Sequence, residues 1–161
     1  MPNWCLNTVE LTSTEDDINA LLHYLMQHNG EGWFTFFTKE ESSFGYQSEE
    51  EADDYWYSEN MDRWGCKWNC NATNWERLDE TRLEVNFESP WSPPITLYER
   101  IQNGEFGPDW SVVANWHEPG FKYVGQFEKG DMQDYSYRFV DSLDDIPQEI
   151  INRWNLNGLL I

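Results

Sequence analysis

Period-two alternation in several stretches, two helical stretches set between them, and the order in which they come predict a ferredoxin-like α+β fold. In such a fold an antiparallel sheet carries two helices; here an acidic insertion and a C-terminal β-hairpin are expected to extend it. At 161 residues and 19.2 kDa the chain suits one domain over residues 1–161, with residues 40–62 as the insertion and residues 141–161 as a tail. The sequence has no internal repeat.

Residues 3–12 put Cys5, Val9 and Leu11 on one side and Trp4, Leu6, Thr8 and Glu10 on the other, the pattern of a strand. Thr14 then opens a capping-box-like Thr-Glu-Asp-Asp. Ile18, Leu21, Leu22, Leu25 and Met26 follow at the spacing of one helix face, and Asn29-Gly30 stops the helix. Glu15, Asp16 and Asp17 lie in its first turn, where the helix dipole favours acids, so they need no functional explanation. Trp33-Phe-Thr-Phe-Phe fits either a strand or a loop docked in the core. Residues 64–70 place Trp64, Cys66, Trp68 and Cys70 on one side, and residues 83–87 do the same with Leu83, Val85 and Phe87. These two stretches are expected to pair antiparallel, with residues 74–81 as the turn region between them. Ser92 is the expected N-cap of a second helix with prolines in its first turn, running to about Gln102 and burying Ile95, Leu97 or Tyr98, and Ile101. Trp110, Val112, Ala114 and Trp116 alternate as a further strand. Residues 121–127 and 135–139 read as a hairpin around Lys129-Gly130-Asp131. Residues 144–158 read as a short helix that docks through Ile146, Ile150, Ile151 and Trp154.

Thirty Asp and Glu stand against ten Lys and Arg, a formal charge of −20, while 17% of residues are aromatic and ten are tryptophan. Acidic disordered chains lack such apolar anchors, so this chain is expected to fold. A surface this acidic repels phosphates and disfavours direct binding to DNA, RNA or an anionic membrane; it favours a basic partner. The first residues lack a basic region followed by an apolar run, and no window approaches a spanning segment, so the expected location is the cytoplasm of the host cell. Cys5, Cys66 and Cys70, an odd number, are expected to be reduced. The acids are uneven: up to residue 62, fourteen stand against Lys39 alone, and beyond it sixteen stand against nine basic residues. Residues 40–62 hold nine of them, no Lys or Arg, and the aromatics Phe44, Tyr46, Tyr55, Trp56 and Tyr57.

Three segments carry a resemblance: Met1-Pro-Asn-Trp-Cys-x-Asn-x-Val, Trp64-Gly-Cys-Lys-Trp-Asn and Ser89-Pro-Trp-Ser-Pro-Pro. Together with Glu118-Pro-Gly-Phe-Lys-Tyr-Val-Gly they resemble the YubB-like family, the ferredoxin-like domain of Api-type proteins encoded by plasmids and bacteriophages, over most of residues 1–130. Its motif positions fall here on Trp4, Asn7, Trp64, Gly65, Lys67, Trp68, Pro90, Trp91, Pro93 and Pro94. The family's central motif reads Trp-Gly-Thr-Lys-Trp-Asp, so Cys66 and Asn69 depart from it, and the acidic stretch lacks the proline-rich form of that region. The resemblance implies a fold and a mobile-element origin, and it names no catalytic residue.

Specific chemistries find little support. Cys5, Cys66, Cys70 and His117 are the candidate metal ligands, but on a strand Cys66 and Cys70 would lie about 13 Å apart. No metal and no cofactor is expected, and the thiols read as small buried side chains. A nucleophilic Cys5 or Cys66 would need a histidine, of which only His23, His28 and His117 exist, and the negative charge opposes a thiolate. Among thirty acids, paired carboxylates carry no information. Gly104-Glu-Phe-Gly-Pro and Gly30-Glu-Gly are not phosphate-cradling loops. Aromatics on a ferredoxin-like sheet can stack RNA bases, yet only Lys67, Arg77 and Arg82 would stand near the hairpin.

The acid itself is what remains. Carboxylates on a rigid domain can imitate a phosphate backbone and occupy a basic groove of another protein. The expected function is that of a non-enzymatic phage or plasmid accessory protein that binds and inhibits a basic, nucleic-acid-binding or defence protein of the host. Glu49, Glu50, Glu51, Asp53 and Asp54 would carry the charge, with Tyr55, Trp56 and Tyr57 as interface anchors. Solubility or salt tolerance accounts for the charge equally well, and docking of the insertion on its own core accounts for the aromatics. Single-stranded RNA or a small ligand on the sheet face is the alternative, and an uncharacterised enzyme the third.

Overall fold

A computed structural model of the chain describes residues 3–39, 58–140 and 142–159. The proposed partner-binding residues Glu49, Glu50, Glu51, Asp53, Asp54, Tyr55, Trp56 and Tyr57 lie outside the described residues.

Alternation builds the central strand. In β1 (Trp4–Thr12) Cys5, Asn7, Val9 and Leu11 are buried, and the residues between them turn to the other face. Thr14 caps α1 (Glu15–Gln27), its hydroxyl accepting from the Asp17 N–H at 3.2 Å, and Ile18, Leu21 and Leu25 form the buried stripe. The remaining strands are β2 (Ala72–Asp79), β3 (Arg82–Pro90), β4 (Ser111–Glu118), β5 (Tyr123–Glu128) and β6 (Asp131–Ser136). They form one six-stranded sheet in the order β2-β3-β1-β4-β5-β6, with every neighbouring pair antiparallel. The class is α+β, with helices α2 (Thr35–Thr38), α3 (residues 58–64), α4 (Ile95–Gln102) and α5 (Gln148–Trp154) completing a set of five among the described residues.

The two faces of the sheet are covered differently. On the first, α1, α4 and the segments around residues 33–37 and 64–70 enclose the main core. Trp33, Phe34, Trp64 and Phe87 interlock there, with ring centroids 5.1 Å apart for Trp33–Phe87 and 5.7 Å for Phe34–Trp64. On the second, Ile146, Ile150, Ile151 and Leu156 of the C-terminal segment pack with Val124 of β5 and Tyr137. The docked tail read from the sequence is therefore present, with its helix confined to residues 148–154. The outward positions of β2, β3 and β1 are left as a broad polar surface. No helix among the described residues is long and apolar enough to cross a membrane.

Several local expectations need correction. Residues 64–70 are not the partner of residues 83–87; that strand is β2, which begins at Ala72. Trp64, Cys66 and Cys70 alternate because a bent segment points them into the core, and Gly65 at φ +85° breaks any extended run. Residues 74–79, read as turn, are strand, and the hairpin closes through Glu80-Thr81 between the paired Asp79 and Arg82. Trp33-Phe-Thr-Phe-Phe is neither strand nor plain loop: a helical turn buries Trp33, Phe34 and Phe37 together. Ser92 does not cap α4, whose N-cap is Pro94; its hydroxyl donates instead to the Gly65 carbonyl at 3.2 Å. The second hairpin pairs β5 with residues 131–136 through Lys129-Gly130, both at positive φ, which gives a tight two-residue turn. Its second strand thus begins four residues earlier than the sequence suggested.

Candidate functional site

The motif segments, far apart in sequence, meet at one corner of the sheet, where β1 begins, β3 ends and β4 turns into β5. The Trp91 N–H donates to the Asn3 carbonyl at 2.8 Å, and the Tyr123 hydroxyl donates to the Trp91 carbonyl at 2.5 Å. A Cβ on Gly120 would fall 2.7 Å from the Asn3 side chain, so the Glu118-Pro-Gly loop closes directly on the chain start. Buried Glu118 holds that loop by accepting from the N–H groups of Gly120 at 2.8 Å and Phe121 at 2.6 Å. Asn7, 2% exposed, donates to the Cys5 carbonyl and to Ser89 Oγ and accepts from the Tyr98 hydroxyl at 3.0 Å. Trp64, Pro90, Pro93 and Pro94 are buried around it.

The same corner exposes aromatic surface. Trp4, Trp91 and Phe121 are each about two-fifths exposed. Trp4 meets Trp68 edge-on at 6.0 Å, Trp91 meets Phe121 at 6.4 Å, and the Lys67 ammonium lies 5.6 Å from the Trp68 ring. Trp91 sits at φ +69°, a conformation that costs a bulky residue about 1–3 kcal/mol and is held by the two hydrogen bonds on its own backbone. Most motif residues thus build the corner, and Trp4, Trp68, Trp91 and Lys67 dress its surface.

The cysteines cluster in the main core without forming a reactive centre. Cys66 and Cys70 come together around the bend and both donate to the Trp68 carbonyl, at 3.3 and 3.6 Å, so the separation expected of a strand does not apply. Burial pushes the Cys5 and Cys70 thiols well above the ordinary range, which opposes thiolate formation. His23 and His28 are exposed on and beyond α1. His117 is buried against Tyr137, with Nε2 2.7 Å from the hydroxyl, and desolvation lowers its pKa. Among the described residues, no group of three His, Cys, Asp or Glu side chains is placed to hold a metal ion.

The open face of β2-β3-β1 carries opposed carboxylates. Register sets Glu76 opposite Glu84 and Glu84 opposite Glu10, a row of three carboxylates on adjacent strands about 4.8 Å apart. Like charges directly opposite one another destabilise a sheet. Arg82 reaches one end of the row, 3.0 Å from Glu10, and is shared with Asp79 at 2.7 Å. The next row is neutral and tied: Thr8 donates to Asn86 at 2.7 Å and Asn86 donates to Asn74 at 2.8 Å. Beyond it a groove of about 320 Å3 runs past Leu6, Asn86, Glu88 and Trp154. Sequence reading placed Glu10 on this face but missed Glu84 and Glu88, because it did not pair β1 with β3, and missed Glu76, because β2 was read as a turn.

No family model matches the chain, and no curated protein matches it. A solved structure that does match is the crystal structure of a protein api92 from Yersinia pseudotuberculosis, of the family DUF1281. It is 12% identical, with a TM-score of 0.47, over 84% of this chain and 99% of that one.

Proposed function

We propose that this chain is a non-catalytic accessory protein of a phage or plasmid, acting in the host cytoplasm by capturing a basic protein on its acidic surface. The single observation that carries the reading is the row Glu76, Glu84, Glu10 on the open sheet face, with Glu88 nearby. A fold that keeps carboxylates opposed on neighbouring strands accepts a loss of stability that a Lys or Arg from a partner would relieve. The acids of residues 40–57 add charge of the same sign. A binding role is further supported by the raised Cys5 and Cys70 thiols and by the neutral, tyrosine-bonded His117, which leave no activated nucleophile–base pair among these groups. A YubB-like, ferredoxin-like assignment is part of this reading. It is supported by the order β2-β3-β1-β4, with α1 following β1 and α4 following β3, and by the meeting of the motif segments.

The test immobilises the protein in host lysate at about 50 mM and about 500 mM salt and identifies what is retained, because electrostatic capture weakens steeply with ionic strength. Two charge-reversed variants accompany it: Glu76, Glu84 and Glu88 to Lys, and Glu49, Glu50, Glu51, Asp53 and Asp54 to Lys. A basic protein held at low salt and lost from either variant supports the reading and assigns the surface. Retention unchanged by both variants removes it. The groove beside Trp154 supports a second reading, a small ligand on the sheet face, and the same carboxylates weigh against RNA there.

A further inference from the structure

The sheet order ends at β6, and no backbone group among the described residues bonds to its outer side. Register fixes which groups face outward. The Lys129-Gly130 turn closes on the pair Glu128 and Asp131, so Asp131, Gln133 and Tyr135 bond to β5, and the Tyr137 N–H continues that row by donating to the Lys122 carbonyl at 2.8 Å. The N–H and C=O groups of Met132, Asp134 and Ser136 therefore point away from the sheet. All three residues are exposed, the pairing with β5 runs from Asp131 to Ser136 without a bulge, and β6 holds no proline. The opposite edge is built differently. β2 has two breaks of register, its first N–H donates to the Gly30 carbonyl at 2.8 Å, and Arg77 folds back to the Asp79 and Glu80 carbonyls and to Asn19. Irregularity and cover of this kind blunt an edge against further pairing, and among the described residues β6 has neither.

The side chains of β6 decide what an added strand must carry. Its charged residues are Asp131 and Asp134, both exposed; Asp134 Oδ1 accepts from the Trp116 indole N–H at 3.2 Å, and among the described residues neither carboxylate has an ion pair. Strand alternation puts Met132 and Asp134 on the helical face of the sheet and Asp131 and Gln133 on the other. Residues directly opposite on paired strands have Cβ atoms about 4.5–5.5 Å apart, so a cation there is attracted and an anion repelled. A second copy of this chain, at a formal charge of −20, is therefore disfavoured, and a basic strand is favoured. We propose that β6 accepts an extended basic segment of another protein as an added antiparallel strand, with lysine or arginine opposite Asp134 and Asp131 and an apolar residue opposite Met132. Backbone bonds to Met132, Asp134 and Ser136 supply the affinity, and the side chains supply the choice of partner. Since β4 and β5 separate this edge from the acidic row, the two sites stand independently.

The test adds to the full chain the acetylated and amidated peptide Thr-Lys-Thr-Val-Lys-Thr, whose lysines would fall opposite Asp134 and Asp131 and whose valine would fall opposite Met132. Amide hydrogen exchange is followed by NMR and affinity by calorimetry. In the free protein the N–H groups of Gln133 and Tyr135 should exchange slowly and those of Met132, Asp134 and Ser136 fast; at saturation the peptide is expected to slow the latter three at least about tenfold. Methylating the backbone nitrogens of the peptide's first lysine and its valine keeps the charge and removes the N–H groups that would face β6. That change, and separately the replacement of both lysines by glutamate, is expected to weaken binding at least about tenfold. Met132→Pro removes an outward N–H that takes no part in the pairing with β5, and Asp131→Lys reverses an exposed charge without touching the backbone; each is expected to do the same. No slowing at the three amides, equal binding of the methylated peptide, or binding unaffected by both protein variants overturns the proposal. Slowing that rises with protein concentration in the absence of peptide would assign the edge to a second copy of the chain and overturn it as well.

Discussion

Gly125→Ala tests the packing of Trp116 across β5, which carries its indole to Asp134 on β6. Gly125 lies within β5, where alanine is ordinarily tolerated and reduces the entropy of the unfolded chain by about 0.4–1 kcal/mol. At this position the added Cβ would come within 2.3–2.4 Å of three atoms of the Trp116 indole, a ring that is 1% exposed. Overpacking of this kind costs about 1–3 kcal/mol. A displaced indole also loses its bond to Asp134, and a hydrogen bond to a charged group contributes about 1.5–3 kcal/mol. The net expectation is a destabilisation of about 2–5 kcal/mol, or a fall of roughly 1–2 M in the urea midpoint followed by tryptophan fluorescence. Because the clash and the lost bond share one ring, Trp116→Leu should make the second substitution much less harmful, a non-additivity of at least about 1 kcal/mol. A midpoint for Gly125→Ala within about 0.3 M of the parent would refute the reasoning.

Asn69 donates to the Gly32 carbonyl and to Thr35 Oγ1 while accepting from the Phe34 and Cys70 N–H groups, so Asn69→Asp, which removes both donors, should cost about 1–3 kcal/mol by urea unfolding. Buried Cys5 and Cys70, with raised pKa values, should resist alkylation by iodoacetamide at pH 8 until urea is added; rapid labelling of either in the folded protein would contradict their placement. His117 titrates below its ordinary 6.5 in the folded state, so its contribution is complete above pH 6.5 and is lost as pH falls through the lowered folded value. His117→Gln should therefore flatten the fall in the urea midpoint between pH 7 and pH 5, and an unchanged slope would count against a buried neutral imidazole. Asp134 acts with the opposite sign, because its raised pKa favours the protonated folded form at acid pH, and the His117 variant isolates the histidine from it.

Local periodicity explains which parts of this fold were legible. In β1 and α1 each buried side chain is specified by its own spacing, so Cys5, Val9, Leu11, Ile18, Leu21 and Leu25 could be read directly. The Lys129-Gly130 turn was legible because its backbone demands are local. The β2 error has a physical cause: Trp64, Cys66 and Cys70 are buried by a bend whose shape depends on the distant groups Gly32, Phe34 and Thr35 that Asn69 ties down. Such a segment imitates a strand in one dimension. True β2 is an edge strand that offers few apolar residues, so its alternation was faint. Misplacing it hid the acidic row, since Glu76 and Glu84 become neighbours only through the register. The bond from Trp116 to Asp134 was illegible for a related reason: it needs an absent side chain at Gly125 between two strands, and no periodicity marks that.

The most direct test of the central claim is the salt dependence of capture from host lysate, with the parent protein beside the variant in which Glu76, Glu84 and Glu88 are lysine and the variant reversed at residues 49–54. The account expects one basic protein to be retained at about 50 mM salt, released by about 500 mM, and lost from at least one of the two variants. A partner retained equally by all three proteins, or one whose retention ignores salt, would contradict it.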